Sequence, residues 1–178
     1  MIEKAIIVAS KAHDGQYRKL TQIPYITHPL SVGLILLKAN VKEELIAAGI
    51  LHDTVEDTEL TLEEIKEEFG EVVAEIVDGC SEPDKSLTWE ERKEHTISFL
   101  RTASEEIRIV VCADKLHNIR SMIRDYEELG DQVWRRFSRG RDKQEWYYRN
   151  VTASLGHSST FPLLDELKSE VNSLFGKY

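Results

Sequence analysis

Along most of the chain apolar side chains recur at spacings of three and four, and alternating runs are few, so the pattern predicts helices throughout and no strand. The first helix, residues 3–13, puts Ile6, Ala9 and His13 on a shared stripe. Residues 14–27 are polar, punctuated by glycine and proline, and read as a loop. Pro29 fits the first turn of a second helix running to about Ala39, because proline there loses no hydrogen bond that the helix needs. A third helix covers about Lys42 to Asp53. Thr61 with Glu64, and Thr88 with Glu91, have the spacing of a capping box, in which hydroxyl and carboxylate reciprocally satisfy orphan backbone amides. A helix therefore starts at each; the first closes at Gly70 and the second runs to about Thr102. Between them lies a fifth helix, Glu71 to Asp78, and then the one substantial interior loop, Asp78 to Thr88. A long helix from Glu105 to about Leu129 is stopped by Gly130. Three further helices are expected at about 131–137, 141–155 and 161–174. The expected architecture is all-α: a compact orthogonal bundle of about 8–10 helices, with residues 1–178 as one domain.

Length agrees with that picture, since 178 residues can bury a core without disulfides. Charge narrows the partners. Lys and Arg number 23 against 32 Asp and Glu, a formal net charge of −9, and duplex or single-strand backbones are bound chiefly through many cationic contacts. No nucleic-acid partner is expected, although a small basic pocket is compatible with an acidic chain. The local basic run at 134–141, WRRFSRGR, reads as a solvated helix end. Cys80 and Cys112 form neither a CxxC motif nor a zinc spacing, so buried free thiols in a reducing compartment are expected. Val32 to Leu37, the most apolar segment, is stopped by Lys38 and is too short to cross a bilayer. The N-terminus lacks the apolar run and cleavage pattern of a signal peptide. A cytoplasmic protein with no membrane partner is the expectation; association as a homo-oligomer stays open.

The candidate chemistry starts at Leu51-His52-Asp53-Thr54-Val55-Glu56-Asp57. His52 and Asp53 end an apolar stretch, where an unpartnered buried carboxylate is costly. A bound cation is one compensation, and imidazole beside carboxylate is a common ligand pairing. If the helix continues one more turn, Glu56 falls below His52 and Asp57 below Asp53, so that four polar groups face one spot. Distant ligands are available in His28, held before Pro29 and so expected in an extended conformation, and in Asp114, a carboxylate ending the apolar run Ile109–Ala113. Asp114 also heads a polar stripe with His117, Asn118 and Ser121. Lys115, Arg120 and Arg124 flank it as possible phosphate partners; a solvated position is favoured for Arg124 and not for Arg120. Arg18 and Lys19, in the loop before His28, can stack on a base and bind phosphate. His13 reads as a hydrogen-bonded core residue, and His95 and His157 as surface residues.

These segments together, RK…PYITHP, GILHDTVEDT and ADKLHNIRS, resemble the HD superfamily of metal-dependent phosphohydrolases, and within it the hydrolase domain of the RelA/SpoT homologues. The chain is most similar to the stand-alone small alarmone hydrolases, which remove the 3′-pyrophosphate of guanosine tetra- and pentaphosphate. The likeness is close over about residues 3–125 and looser over EWYYRNV at 145–151. It implies an HD-type fold and one divalent ion per chain held by His28, His52, Asp53 and Asp114. Manganese is the usual ion; Fe2+, Zn2+ and Mg2+ are alternatives. It further implies Glu56 and Asp57 as the acidic pair that activates water. Arg18 and Lys19 are implied at the base, and Asn118 at the sugar-phosphate, with Ser121 where threonine is common. Lys115 adds positive charge for the substrate. The loop Gly79–Leu87 departs from the usual segment, as does the stretch from Trp134 to Tyr148. That leaves open an adenosine alarmone, the 2′-phosphate of NADPH, another nucleoside phosphate, or a catalytically silent nucleotide-binding module.

Overall fold

The computed structural model describes all residues except Leu20, 83–85 and Tyr178. Its elements are α1 (Ile2–Ala12), α2 (Thr27–Lys38), α3 (Glu43–Leu51), α4 (Thr54–Asp57), α5 (Leu62–Phe69), α6 (Glu71–Cys80), α7 (Trp89–Leu100), α8 (Glu105–Leu129), α9 (Gly140–Leu155) and α10 (Pro162–Phe175), with a 3-10 segment at Gly130–Arg136. The described residues contain no strand, only an isolated bridge between Tyr17 and Pro24. The fold is all-α.

Helix ends follow their sequence signals. Thr61 accepts from the Glu64 amide and Thr88 from the Glu91 amide, and each glutamate returns to its threonine backbone, completing both capping boxes. Ser104 caps α8 through the Ile107 amide, and Pro162 opens α10. Gly130 ends α8 at φ 56°, a conformation a residue with a side chain rarely adopts.

The centre of the molecule is α3. Its segment Leu45–Leu51, LIAAGIL, carries no polar side chain, so it has no face to turn to water and is buried on every side. It packs against α1, α2, α6 and α8. Two glycines set its approach to α2. A Cβ on Gly49 would sit 2.3 Å from Leu36 Cδ1, and one on Gly33 2.5 Å from Ile50 Cγ1. The helices are therefore closer than side chains at either position would permit. α8 lies across both, with Val110, Val111, Cys112, Ala113, Leu116 and Ile119 buried. His28 on α2, His52 at the end of α3 and Asp114 on α8 thus project from three mutually packed helices.

Several expectations are corrected. The buried stripe of α1 is Ala5, Ala9 and His13; Ile6 is exposed. α3 stops at Leu51 instead of Asp53 because two side chains claim its last carbonyls. Thr54 Oγ1 donates to the Leu51 carbonyl at 2.7 Å, and His52 Nδ1 to that of Gly49 at 2.8 Å. The backbone then restarts as α4, with the Asp57 amide bonded to the Asp53 carbonyl at 2.9 Å. His28 is helical, not extended: it is the second residue of α2, and its amide bonds the Tyr25 carbonyl at 2.9 Å. Pro29 still lies in the first turn. The helix expected at 131–137 is a 3-10 segment, Gly130–Arg136, not an α-helix. α6 continues through Gly79 to Cys80, and the loop expected from Asp78 begins at Ser81, with 83–85 outside the described residues. The α1–α2 connection is a second substantial loop.

The basic run at 134–141 is solvated only in part, with Arg135, Ser138 and Arg139 exposed. Trp134 is buried, Arg136 pairs with Asp125 at 2.6 Å, and Arg139 with Glu90 at 2.9 Å. Arg141 lies 5.9 Å from the centre of the Trp134 ring and 5.5 Å from that of Phe175. The close pairing of α2 and α3 is testable. Gly49→Val should destabilise the protein by about 1–3 kcal/mol through overpacking, read as a lower urea midpoint at unchanged m.

Candidate metal centre and adjoining cleft

The ends of α2 and α3 and the first half of α8 bring four polar side chains to one point. His28 Nε2 lies 3.1 Å from Asp114 Oδ1 and 3.5 Å from Asp53 Oδ2. His52 Nε2 lies 3.1 Å from Asp53 Oδ2 and 3.7 Å from Asp114 Oδ1. The donor atoms of His28, His52 and Asp114 all fall within 4.8 Å of one another. Neighbouring ligands of one ion with bonds of about 2.1 Å stand about 3–3.4 Å apart, so these spacings fit a single cation.

Each donor is oriented by a second contact. His52 gives its Nδ1 proton to the Gly49 carbonyl, so that in the neutral ring it is the buried Nε2 that carries the lone pair a metal would use. Tyr25, from the α1–α2 loop, donates its hydroxyl to Asp53 Oδ2 at 2.6 Å. Asp114 is held from both sides, by Asn118 Nδ2 on Oδ1 at 2.6 Å and Lys115 Nζ on Oδ2 at 2.7 Å. His28 Nδ1 faces His117 Nδ1 at 2.6 Å.

Electrostatics favours a cation at the centre. Burial pushes His52 down, but the charges of Asp53 and Asp114 outweigh it and hold the imidazole well above its ordinary value. Burial pushes both carboxyls up, yet His52 holds Asp53 below its usual range, and Lys115 with the two histidines does the same for Asp114. Burial lowers His28, and burial with the neighbouring His28 lowers His117 to about 4, so both favour the neutral form that can ligate or relay a hydrogen bond. Two imidazoles and two carboxylates suit a borderline divalent metal such as manganese, iron or zinc.

Beyond this cluster opens a cleft of about 920 Å3. Its wall includes seven cationic side chains (Arg18, Lys19, Arg92, Lys93, Lys115, Arg124 and Arg136) against the carboxylates of Asp125 and Glu128. Tyr25, His117, Asn118, Ser121, Gln144, Tyr147 and Tyr148 complete much of its polar lining. Arg18 bonds Asn118 Oδ1 at 3.2 Å and lies 5.8 Å from the centre of the Tyr25 ring. Ser121 Oγ donates to the His117 carbonyl. Some cations have internal partners: Arg92 and Lys93 both pair with Glu82. A smaller hollow of about 310 Å3 touches His52, Cys80, Glu82, His95, Asp114 and Lys115.

Glu56 and Asp57 behave differently from a simple second tier. Glu56 Oε2 accepts the Glu82 amide at 3.0 Å. Its half-burial and the negative charges of Asp57, Glu82 and Asp53 raise its pKa, with that amide opposing. Asp57 is exposed, and its backbone carbonyl takes the Gln16 side-chain amide at 2.8 Å. Arg120 does not serve the cleft but pairs with Glu166 at 2.8 Å and Glu170 at 2.9 Å on α10, whereas Arg124 is exposed, as expected, and lines the cleft. From the sequence His117 is only a member of the Asp114 stripe and Tyr25 has no role, whereas the structure sets Tyr25 against Asp53 and His117 against His28. His13 is a core residue, bonded to Gln16 at 2.8 Å; His95 and His157 are exposed. Both cysteines are free and burial raises their thiols; Cys112 is buried, Cys80 partly so. Among the described residues no helix is long and apolar enough to cross a membrane.

A family model described as HD domain matches residues 5–143. A Streptomyces coelicolor protein named GTP pyrophosphokinase is 42% identical over 124 residues, 68% of this chain and 14% of its own length. The Haemophilus influenzae guanosine-3′,5′-bis(diphosphate) 3′-pyrophosphohydrolase is 42% identical over 122 residues, 65% of this chain and 18% of its own. The chain thus spans less than a fifth of the length of these relatives. Two solved structures resemble it more completely. One, from Listeria monocytogenes, has a TM-score of 0.79 at 40% identity and covers 84% of this chain and 99% of its own. The other, a metazoan ortholog of SpoT described as hydrolysing ppGpp, has a TM-score of 0.82 at 27% identity, over 99% of this chain and 96% of its own.

A ligand that binds only the folded state raises stability by about 2.7 kcal/mol at a hundredfold excess over its Kd, or about 5–10 °C for a chain of this size. Adding Mn2+ to metal-stripped protein should raise Tm by that order. His52→Ala should abolish the shift, as read by differential scanning fluorimetry.

Proposed function

This chain belongs to the HD-domain family, with its likeness in the RelA/SpoT hydrolase branch, and from that premise we propose that it is a metal-dependent phosphohydrolase that removes the 3′-pyrophosphate of guanosine tetra- and pentaphosphate. The observation that carries this reading is the buried cluster of His28, His52 and Asp114, with the half-buried Asp53 beside it, at the edge of a cation-lined cleft on a chain whose net charge is −9. An acidic protein that concentrates seven cations in one cleft is suited to a small polyanion. The relatives favour hydrolysis over phosphoryl transfer from a second nucleotide. The relative named for synthesis and the Haemophilus influenzae hydrolase both share less than a fifth of their length with this chain, whereas the ppGpp-hydrolysing SpoT ortholog matches nearly end to end. The names of both hydrolytic relatives point to guanosine. The proposed functional unit is the whole of residues 1–178.

In this reading His28, His52, Asp53 and Asp114 hold one divalent ion, with manganese proposed and Fe2+, Zn2+ or Mg2+ as alternatives. When bound, such an ion supplies positive charge for the phosphoryl oxygens and lowers the pKa of a water. The protein does the rest. Arg18 and Lys19 take the base and its surroundings, Asn118 and Ser121 the sugar-phosphate, and Lys115 a phosphate oxygen. Lys115 remains cationic, because Asp114 and the tyrosines beside it outweigh the burial that lowers it. Glu56 accepts the proton of the attacking water, a task its raised pKa suits, and Asp57 keeps the local potential negative. Water oxygen bonds to the phosphorus attached at O3′, the bond from that phosphorus to O3′ breaks, and O3′ takes a proton. Pyrophosphate and the nucleoside 5′-di- or triphosphate leave.

Manganese-loaded protein given ppGpp should release GDP and pyrophosphate in equal amounts on ion-exchange chromatography. The adenosine analogue, NADPH and common nucleotides should turn over more slowly. Orthophosphate as the sole phosphorus product, or nucleotide binding without turnover, would contradict the proposal. Asp53→Ala should abolish activity and Lys115→Ala should chiefly raise KM. Glu56→Gln should lower kcat by about 10²–10⁴-fold with KM little changed, in initial-rate kinetics.

A further inference from the structure

His117 stands between the metal centre and the cleft. Its Nδ1 lies 2.6 Å from Nδ1 of His28, a hydrogen-bond separation in which one ring donates and the other accepts, according to tautomer. The rings are 4.8 Å apart, tilted by 40°. On its other side His28 turns Nε2 toward Asp114 Oδ1 at 3.1 Å and Asp53 Oδ2 at 3.5 Å. His117 also lines the large cleft beside Arg18, Asn118 and Arg124. Its Nδ1 is taken by His28, so Nε2 is the ring nitrogen left for a molecule in the cleft.

Proton bookkeeping links the two sides. A neutral imidazole carries one proton. When a cation uses the lone pair of His28 Nε2, the proton of His28 sits on Nδ1 and is donated to His117. His117 Nδ1 must then be bare, and a neutral His117 carries its own proton on Nε2. Loading the metal therefore selects, through one hydrogen bond, the tautomer of His117 that presents an N–H to the cleft.

We propose that His117 is a positioning residue that orients His28 for the metal and, once the metal is bound, offers its Nε2–H to the sugar or phosphate of the nucleotide. This rests on the proposed metal role of His28, and it assigns His117 two separable contacts.

Substitutions can separate them. In His117→Asn the amide oxygen takes the place of Nδ1, keeping the acceptor for His28 and losing the donor to the cleft. In His117→Gln the amide nitrogen takes the place of Nε2, keeping the donor and losing the acceptor. His117→Phe loses both. Isothermal titration of metal-stripped protein with Mn2+ reads the first contact without any substrate. Outer partners of a ligating histidine are worth about 10–100-fold in metal affinity, so the Gln and Phe variants should bind Mn2+ at least about tenfold more weakly, and the Asn variant within about threefold of the parent. At saturating Mn2+, the Asn and Phe variants should raise KM more than they lower kcat, and the Gln variant should recover most of the parental KM. Circular dichroism and melting curves confirm that each variant is folded. Parental Mn2+ affinity in all three, or equal weakening in Asn and Gln, would overturn the proposal. The titration stands apart from the substrate: weakened metal binding in a protein that fails to hydrolyse ppGpp supports the inference and rejects only the assigned reaction.

Discussion

Two carboxylates buried among apolar helices cannot stay charged without compensation, and the centre of this molecule is arranged around that cost. Asp53 lies two residues beyond the end of the most apolar helix, and Asp114 follows the buried run Val110–Ala113. Isolated ionised groups in such surroundings are expensive by several kcal/mol each. The protein supplies part of the balance through Tyr25, Asn118 and Lys115, and the two imidazoles hold Nε2 at the point where the carboxylate oxygens converge. A divalent cation at that point would complete it. The glycine contacts between α2 and α3 serve the same end, because their close approach sets the distance between His28 and His52.

Charge is distributed on a second scale. The chain is acidic overall, yet the cleft beside the centre is strongly cationic. Other arginines are drawn away to carboxylates elsewhere, such as Arg120 to α10 and Arg139 to Glu90. The result is an acidic chain with a cation-lined cleft beside the centre, a charge pattern that suits a compact polyanion.

Much of this was legible in the chain itself. Both capping boxes, the extent of α8 and the stop at Gly130 follow from local chemistry that operates within a few residues. Of the four candidate donors, His52, Asp53 and Asp114 stand out because they follow apolar runs, where a charged group needs a reason, and His28 because it precedes Pro29. What escaped depends on contacts between distant segments. The break after Leu51 arises from side-chain bonds to backbone carbonyls that an apolar periodicity does not record. Tyr25 and His117 acquire their places only when the α1–α2 loop and α8 meet. Arg120 and Arg124 lie one turn apart on the same helix, so spacing alone could not tell which reaches α10 and which the cleft; the acids at Glu166 and Glu170 decide it.

The most direct test of the central claim is anomalous diffraction at the manganese edge from crystals of Mn2+-loaded protein. One peak per chain within bonding distance of His28 Nε2, His52 Nε2 and carboxylate oxygens of Asp53 and Asp114 is the predicted result. A peak bound elsewhere, or none among these four side chains at saturating manganese, would contradict the account.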